Sequence, residues 1–186
     1  TEDMVVAQFQ DVTARRKAEA ELARRAVTDP LTGLSNRNEL ITRIEAHRAT
    51  RAGAPVGVVF LDLDGFKQVN DAHGHAVGDE VLTQVAGRLK STVAEPNSVY
   101  RLGGDEFVIL VPDAQESHVE GVARDICTGL TGDYDAGGAP VRLTASVGWT
   151  CGSDDVDELV RRADANMYRH KARLRTAPEG SDTPVA

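Results

Sequence analysis

The 186-residue chain reads as a mixed α/β protein, and three features of its patterning carry that reading. Val56 to Leu63 is almost wholly apolar, as suits a central strand buried on both faces. Two β-rich runs, Ser98-Val99-Tyr100 and Val108-Ile109-Leu110-Val111, enclose Arg101-Leu102-Gly103-Gly104-Asp105-Glu106-Phe107, which predicts a hairpin turning at Gly103-Gly104. Apolar residues then recur at helical spacing, as in Val81, Leu82, Val85, Leu89 and Val93, and again in Val156, Leu159, Val160, Ala163 and Met167.

Bulk composition narrows the class of partner. A hydrophobic fraction of 41% and a charged fraction of 27% are those of a soluble globular protein, with room for one domain of about 150 residues plus flanks. No run approaches the roughly 18 apolar residues of a membrane span and no signal peptide opens the chain, so a cytoplasmic protein without membrane contact in this segment is expected. Cys127 and Cys151 form no CxxC pair and read as reduced packing thiols. A net charge of −8 argues against nucleic acid or an anionic membrane as the main partner. An acidic protein can still hold a phosphorylated ligand if a divalent cation lies between them.

In chain order, Met4 to Gln10 reads as a strand with nothing nearby to pair with, expected to be the end of an upstream domain. Asp11-Val12-Thr13 can cap a charged helix from about Ala14 to Ala26. Its narrow stripe of Ala18, Leu22 and Ala26 fits either a short coiled-coil seam or a solvated linker. Asp29-Pro30-Leu31-Thr32-Gly33-Leu34 breaks that helix, since proline disfavours helical geometry before it. Ser35 or Asn36 starts the next helix, through about Ala49, with Leu40, Ile41 and Ile44 inward.

The Val56–Leu63 strand ends in Asp62-Leu63-Asp64. Carboxylates at the end of a buried strand need a partner, because an unpaired buried charge costs several kcal/mol or is neutralised. Mg²⁺ suits them, since it takes oxygen ligands and is usually held by one or two carboxylates plus phosphate oxygens. His73 and His75 lack a further Cys or His at zinc-ligand spacing. Asp79 reads either as an N-cap for the helix running to about Val93 or as an acceptor for the paired N–H donors of guanine. A helix from about Gln115 to Leu130, a Gly- and Asp-rich stretch from Gly132 to Pro140 and a strand from Val141 to Gly148 follow. The last helix begins near Ser153-Asp154-Asp155. Lys171 and Arg175 continue its inward stripe at i+4 steps, either as cations favoured by the helix C-terminus or as ligand-binding groups. Residues 176–186 read as a tail or linker. The Gly103-Gly104-Asp105-Glu106 turn, taken alone, fits a solvated turn as well as it fits a site.

Taken together, Asp29-Pro30-Leu31-Thr32-Gly33-Leu34-Ser35-Asn36-Arg37, Asp62 to Asp71 with Gly74-His75 and Gly78-Asp79, and Arg101 to Phe107 resemble the GGDEF family of diguanylate cyclases, in the right order and spacing. Ala163-Asp164, Tyr168 and Lys171 match its closing helix. The resemblance implies a mainly antiparallel central sheet flanked by helices, akin to nucleotidyl cyclase and polymerase palm domains, with the catalytic domain at 28–175. It implies condensation of two GTP into cyclic di-GMP and two pyrophosphates with Mg²⁺ or Mn²⁺, in a homodimer. Carried over residue by residue, Asp62, the Leu63 carbonyl, Asp105 and Glu106 would hold the metal, with Asp105 and Glu106 catalytic. Asn70 and Asp79 would read guanine. Lys67, Lys171 and Arg175 would bind phosphates, with Phe66 in the segment that opens a short helix, and Gly103 and Gly104 would make room for the nucleotide. Residues 1–27 resemble the end of a PAS domain joined to a signalling helix, which implies an upstream sensor. The rival is a degenerate domain that binds GTP as an allosteric signal.

Two departures stand out. The closing helix has Leu174-Arg175-Thr176 where the family has Gly-Arg-Asn. The inhibitory Arg-x-x-Asp pair of many members falls here on Ala94 and Asn97, which supply neither guanidinium nor carboxylate. Added cyclic di-GMP is therefore expected to leave initial rates unchanged through that site. Product inhibition that vanishes when Asn97 is altered would contradict this.

Overall fold

The computed structural model of the protein describes Leu22, Arg24 and residues 26–176, except for the side chains of His170 and residues 173–176. The expected strand at Met4–Gln10, the Ala18 position of the linker helix, the tail beyond Thr176 and the side chain of Arg175 lie outside the described residues. Leu22 and Ala26 are helical as expected, and both are exposed.

Six strands and five helices make up the remainder: β1 Ser35–Asn36, α1 Arg37–Thr50, β2 Val56–Asp64, α2 Phe66–His73, α3 His75–Thr92, β3 Ser98–Gly103, β4 Glu106–Val111, α4 Glu116–Leu130, β5 Gly132–Ala136, β6 Ala139–Gly152 and α5 Val156–Thr176. They form one sheet in the order β1-β3-β4-β2-β6-β5. β2 lies at its centre, antiparallel to β4 on one side and to β6 on the other. Only the two-residue β1 runs parallel to its neighbour, β3.

β2 is apolar throughout because both of its faces are covered. Val59, Leu61 and Leu63 point into a core shared with α2, α3 and α4. Val56, Val58 and Phe60 point into a second core with α1 and α5. By the period of two, Asp62 and Asp64 fall on the α5 face, just past the point where the apolar stripe runs out. On α5, Val156, Leu159, Ala163 and Met167 are buried, and Lys171 is the next residue of the same stripe.

Several boundaries differ from expectation. The hairpin tip is Gly104-Asp105, and Gly103 is the last residue of β3, because the register slips between Arg101 and Gly103. α3 starts at His75 after Gly74, so Asp79 lies within the helix and does not cap it. The Gly- and Asp-rich stretch after α4 is a strand, β5, whose hairpin turns at Gly137-Gly138, both at positive φ. It is fixed from outside. Arg88 of α3 lies 3.8 Å over the Tyr134 ring, and Gln84 exchanges hydrogen bonds with the Asp135 backbone. Among the described residues no helix is long and apolar enough to cross a membrane.

Gly148 sets the approach of α5. A Cβ there would overlap Met167 N and Ala163 O, which are backbone atoms with nowhere to go. Gly148→Ala is expected to push α5 off the sheet, costing about 1–3 kcal/mol and lowering Tm by roughly 3–10 °C. Gly121→Ala, inside α4 where a Cβ meets nothing within 4 Å, is expected to hold or raise Tm. Thermal melts of the pair check both signs.

Candidate active site

The N-terminal turn and the hairpin tip are built as one unit. Asp29 closes the turn by accepting from Thr32 N at 2.9 Å and Thr32 Oγ1 at 2.6 Å. Arg101, only 9% exposed, donates from Nη1 to Asp29 Oδ1 at 2.9 Å, and from Nε and Nη2 to Gly104 O at 3.0 and 2.7 Å. Burial works against the Asp29 charge, but the bonds from Thr32 and Arg101 outweigh it and hold the carboxyl below the ordinary aspartate value. The Gly104 carbonyl is thereby fixed, and with it the direction in which Asp105 leaves the turn. The backbone is left-handed at Gly104, with φ of 53°. A Cβ on Gly103 or Gly104 would meet nothing within 4 Å, so the space beside the tip is open.

Three acids meet beside that space. Asp62 and Glu106 are direct partners across β2 and β4, and Asp105 precedes Glu106 in the turn. Burial, then repulsion by Asp62, pushes the Asp105 carboxyl above its ordinary value. Burial, then Asp105, Asp62 and Asp164, pushes Glu106 up as well, with Arg37 opposing. Lys171 Nζ answers from α5, donating to Asp62 Oδ2 and Asp64 Oδ1, each at 2.9 Å. Burial disfavours its ammonium, yet the bonds to Asp64 and Asp62 raise it above an ordinary lysine. A cleft of about 540 Å³ opens here, lined by Phe60, Asp62, Glu106, Asp164, Met167, Tyr168, Lys171 and Ala172.

The other expected residues stand on the helical pair that follows β2. Phe66 begins α2 and is buried, so its side chain serves the core. Lys67 is exposed one residue on. Asn70 is half-buried because α3 crosses directly over it: a Cβ on Gly78 would overlap Asn70 Oδ1. Asp79 follows Gly78 and is exposed. The Leu63 side chain is in the core, leaving only its backbone for a ligand. Asp62, Asp105, Glu106 and Lys171 thus form one group, and Lys67, Asn70 and Asp79 form a second, on the α2–α3 pair.

Sequence reasoning grouped Asp64 with Asp62 as a strand-end acid but gave it no separate role, and gave none to Arg101. Asp64 accepts from Thr144 Oγ1 at 3.0 Å and Ser146 Oγ at 2.8 Å, both on β6. The register that creates these contacts is written nowhere in the local sequence. Arg101 was visible as part of a motif, but its bond to a residue 72 positions away was not.

Among the described residues, no three His, Cys, Asp or Glu side chains close into a metal cage. The acids form an open, oxygen-only rim whose members repel one another. Such a donor set fits a hard divalent cation that draws its remaining ligands from water or phosphate.

An antiparallel-cored sheet whose central strand ends in acids beside a glycine hairpin is the arrangement of a nucleotidyl cyclase domain. Residues 26–177 match the family described as diguanylate cyclase, GGDEF domain. The chain is 39% identical over 163 residues to the response regulator PleD of Caulobacter vibrioides, covering 83% of this chain and 36% of that protein. It is 38% identical over 164 residues to the bifunctional diguanylate cyclase/cyclic di-GMP phosphodiesterase MucR of Pseudomonas aeruginosa, covering 86% and 24% respectively. The solved structure of the diguanylate cyclase SiaD from Pseudomonas aeruginosa, in complex with its activator SiaC, is similar with a TM-score of 0.75 at 33% identity, covering 86% of this chain and 64% of that one. The chain belongs to the GGDEF family, and its homologues include diguanylate cyclases. It spans between 24% and 36% of the length of the two curated relatives named here.

Asp105 and Glu106 have pKa values above those of an unfolded chain, so both take up protons on folding. Their cost to stability is full above the folded pKa and absent below the unfolded one. In metal-free buffer, Asp105→Asn and Glu106→Gln are therefore expected to melt above wild type at about pH 7, with the gap closing as pH falls towards about 4. Melting curves across that range check this, and a gap that stays constant would refute it.

Proposed function

We propose that this chain is an active diguanylate cyclase, joining two GTP into cyclic di-GMP with release of two pyrophosphates. The observation that carries this reading is the gathering of three carboxylates, with Asp62 and Glu106 paired across β2 and β4 and Asp105 next to Glu106 in the turn, beside an open glycine tip. An inert turn would gain nothing from that arrangement, whereas a metal-bound triphosphate makes use of it.

In this reading Asp62, the Leu63 carbonyl, Asp105 and Glu106 hold Mg²⁺ or Mn²⁺. When bound, the ion neutralises phosphate oxygens and acidifies a ribose 3′-hydroxyl. Asn70 and Asp79 accept from the N–H groups of guanine, and the absence of a side chain at Gly78 leaves room for the Asn70 amide. Lys67, Lys171 and Arg175 bind the phosphates, helped by backbone N–H groups in the segment that carries Phe66. Gly103 and Gly104 leave room for the nucleotide. Asp105, with Glu106 beside it, would take the proton of the 3′-hydroxyl, and the 3′-oxygen would then form its bond to the α-phosphorus of the other GTP as the bond to pyrophosphate breaks. Each domain presents one GTP, so two copies must face each other and each bond is made between protomers.

The reading extends to the chain's organisation. Residues 28–175 are the catalytic unit, and residues 1–27 are the end of a PAS-like sensor domain and a linker helix that sets the geometry of the two copies. The protein acts in the cytoplasm, with GTP as substrate and no nucleic acid as partner.

The test is incubation with GTP and Mg²⁺ followed by mass analysis of the products. Cyclic di-GMP and pyrophosphate are expected, with specific activity rising with protein concentration because two copies must meet. Asp105→Ala is expected to lose at least about 100-fold in rate, since a metal supplies several kcal/mol to such a step. Binding of GTP without any dinucleotide product would instead support an allosteric GTP-binding domain.

A further inference from the structure

Lys171 has two carboxylate partners, and they are not equivalent. Asp62 faces Asp105 and Glu106, with Glu106 as its cross-strand partner. Asp64 lies on the same face two residues on, past the end of the β2–β4 pairing, and leans towards β6. Its Oδ2 accepts from Thr144 Oγ1 at 3.0 Å, and its Oδ1 accepts from Ser146 Oγ at 2.8 Å and from Lys171 Nζ at 2.9 Å. The antiparallel register sets Asp64 opposite Thr144 and leaves it no partner on β4, while Ser146, opposite Asp62, reaches Asp64 diagonally. The Ser146 hydroxyl is itself buried. Hydroxyl donors orient a carboxylate without cancelling its charge, so the whole negative charge of Asp64 is available to the ammonium.

We propose that Asp64, braced by Thr144 and Ser146, is the positioning residue for Lys171, holding its ammonium at the mouth of the cleft so that it can bind a phosphate of the nucleotide. This rests on the cyclase reading only insofar as Lys171 meets a triphosphate. Any cation bound by the acidic rim competes with Lys171 for Asp62. With Asp62 taken, a lysine on a flexible four-carbon stem would be released to solvent unless a second carboxylate retained it. Asp64 is that second carboxylate, and its brace lies on β6, outside the rim. The arrangement is a relay of position: β6 hydroxyls fix Asp64, Asp64 fixes Lys171, and Lys171 meets the phosphate.

The experiment is a binding cycle on the whole chain with 3′-deoxy-GTP, which lacks the attacking hydroxyl and cannot condense. Calorimetry in Mg²⁺ compares wild type, Asp64→Asn, Lys171→Ala and the double variant. Asp64→Asn keeps the shape and hydroxyl contacts while removing the charge. It is expected to weaken binding roughly tenfold, the scale of one charge-assisted bond. Lys171→Ala is expected to weaken binding at least as much, and adding Asp64→Asn to it should cost nothing further. Ser146→Ala with Thr144→Val should weaken binding only while Lys171 is present. A crystal structure of ligand-free Asp64→Asn should show the ammonium withdrawn onto Asp62. Unchanged affinity in Asp64→Asn, or the same loss with and without Lys171, would overturn the assignment. If wild type binds 3′-deoxy-GTP yet makes no dinucleotide from GTP, the cyclase reading fails while the Asp64 assignment is still decided by the cycle. A wild type that does not bind 3′-deoxy-GTP overturns both.

Discussion

The guanidinium of Arg101 is the interaction on which the site depends. It is buried between the Asp29 carboxylate and the Gly104 carbonyl, and it spends three N–H groups on them. A buried ion pair is weak support for net stability, because desolvation offsets much of its attraction. Removing one partner is another matter: it strands a charge and typically costs 3–5 kcal/mol. The practical effect is geometric. A glycine-rich tip has little of its own to hold it in one conformation, and a planar fork on a fixed carbonyl supplies that. The same fork joins the tip to the turn at Asp29. That turn lies beside the end of the preceding helix, where the Asn36 and Asn38 side chains donate to Ala26 O at 3.0 and 3.3 Å. Hydrogen bonds therefore run from Ala26 at the end of that helix to the segment after the turn, and from the turn to the tip.

The rest of the molecule supplies a rigid floor for charges that would not otherwise be tolerated together. β2 is packed on both faces, and its apolar residues stop where Asp62 begins. Close backbone approach brings α5 onto β6 at Gly148, so that Lys171 arrives within hydrogen-bond distance of two carboxylates. Cores of this density transmit little give, so the acids stay close in spite of their repulsion. Burial first, and the neighbouring carboxylates second, push Asp105 and Glu106 above their ordinary values. The two groups of polar residues are held differently: the acidic rim by sheet register, and Asn70 by the crossing of α3 over it at Gly78.

Particular residues show how far the primary structure carries. The run Val56 to Leu63, the stripes of α3 and α5, and the acids at 62, 105 and 106 are legible because each obeys a local period or ends one. The hairpin was legible too, but its tip was displaced by one residue, because the pairing of β3 with β4 slips between Arg101 and Gly103, a shift in register that no local period announces. Gly132 to Ala136 did not read as a strand. Its glycine and aspartates have poor β propensity, and the strand is held by Arg88 and Gln84 from α3 together with β6. Asp79 looked like a helix cap for the same kind of reason: nothing local shows that Gly74 has already begun the helix.

By itself the sequence determined the alternation of strands and helices, the two-sided burial of β2 and the inventory of acids and lysines, all of which follow from short-range periodicity and residue chemistry. Tertiary structure decided which of those charges meet. Asp62 faces Glu106, Asp64 turns to Thr144 and Ser146, and Lys171 bridges both aspartates, because strand register and the approach of α5 are fixed by packing across the whole sheet. Neighbours along a chain are set by covalent bonds and period, whereas neighbours across a sheet are chosen by the pairing that buries the most apolar surface.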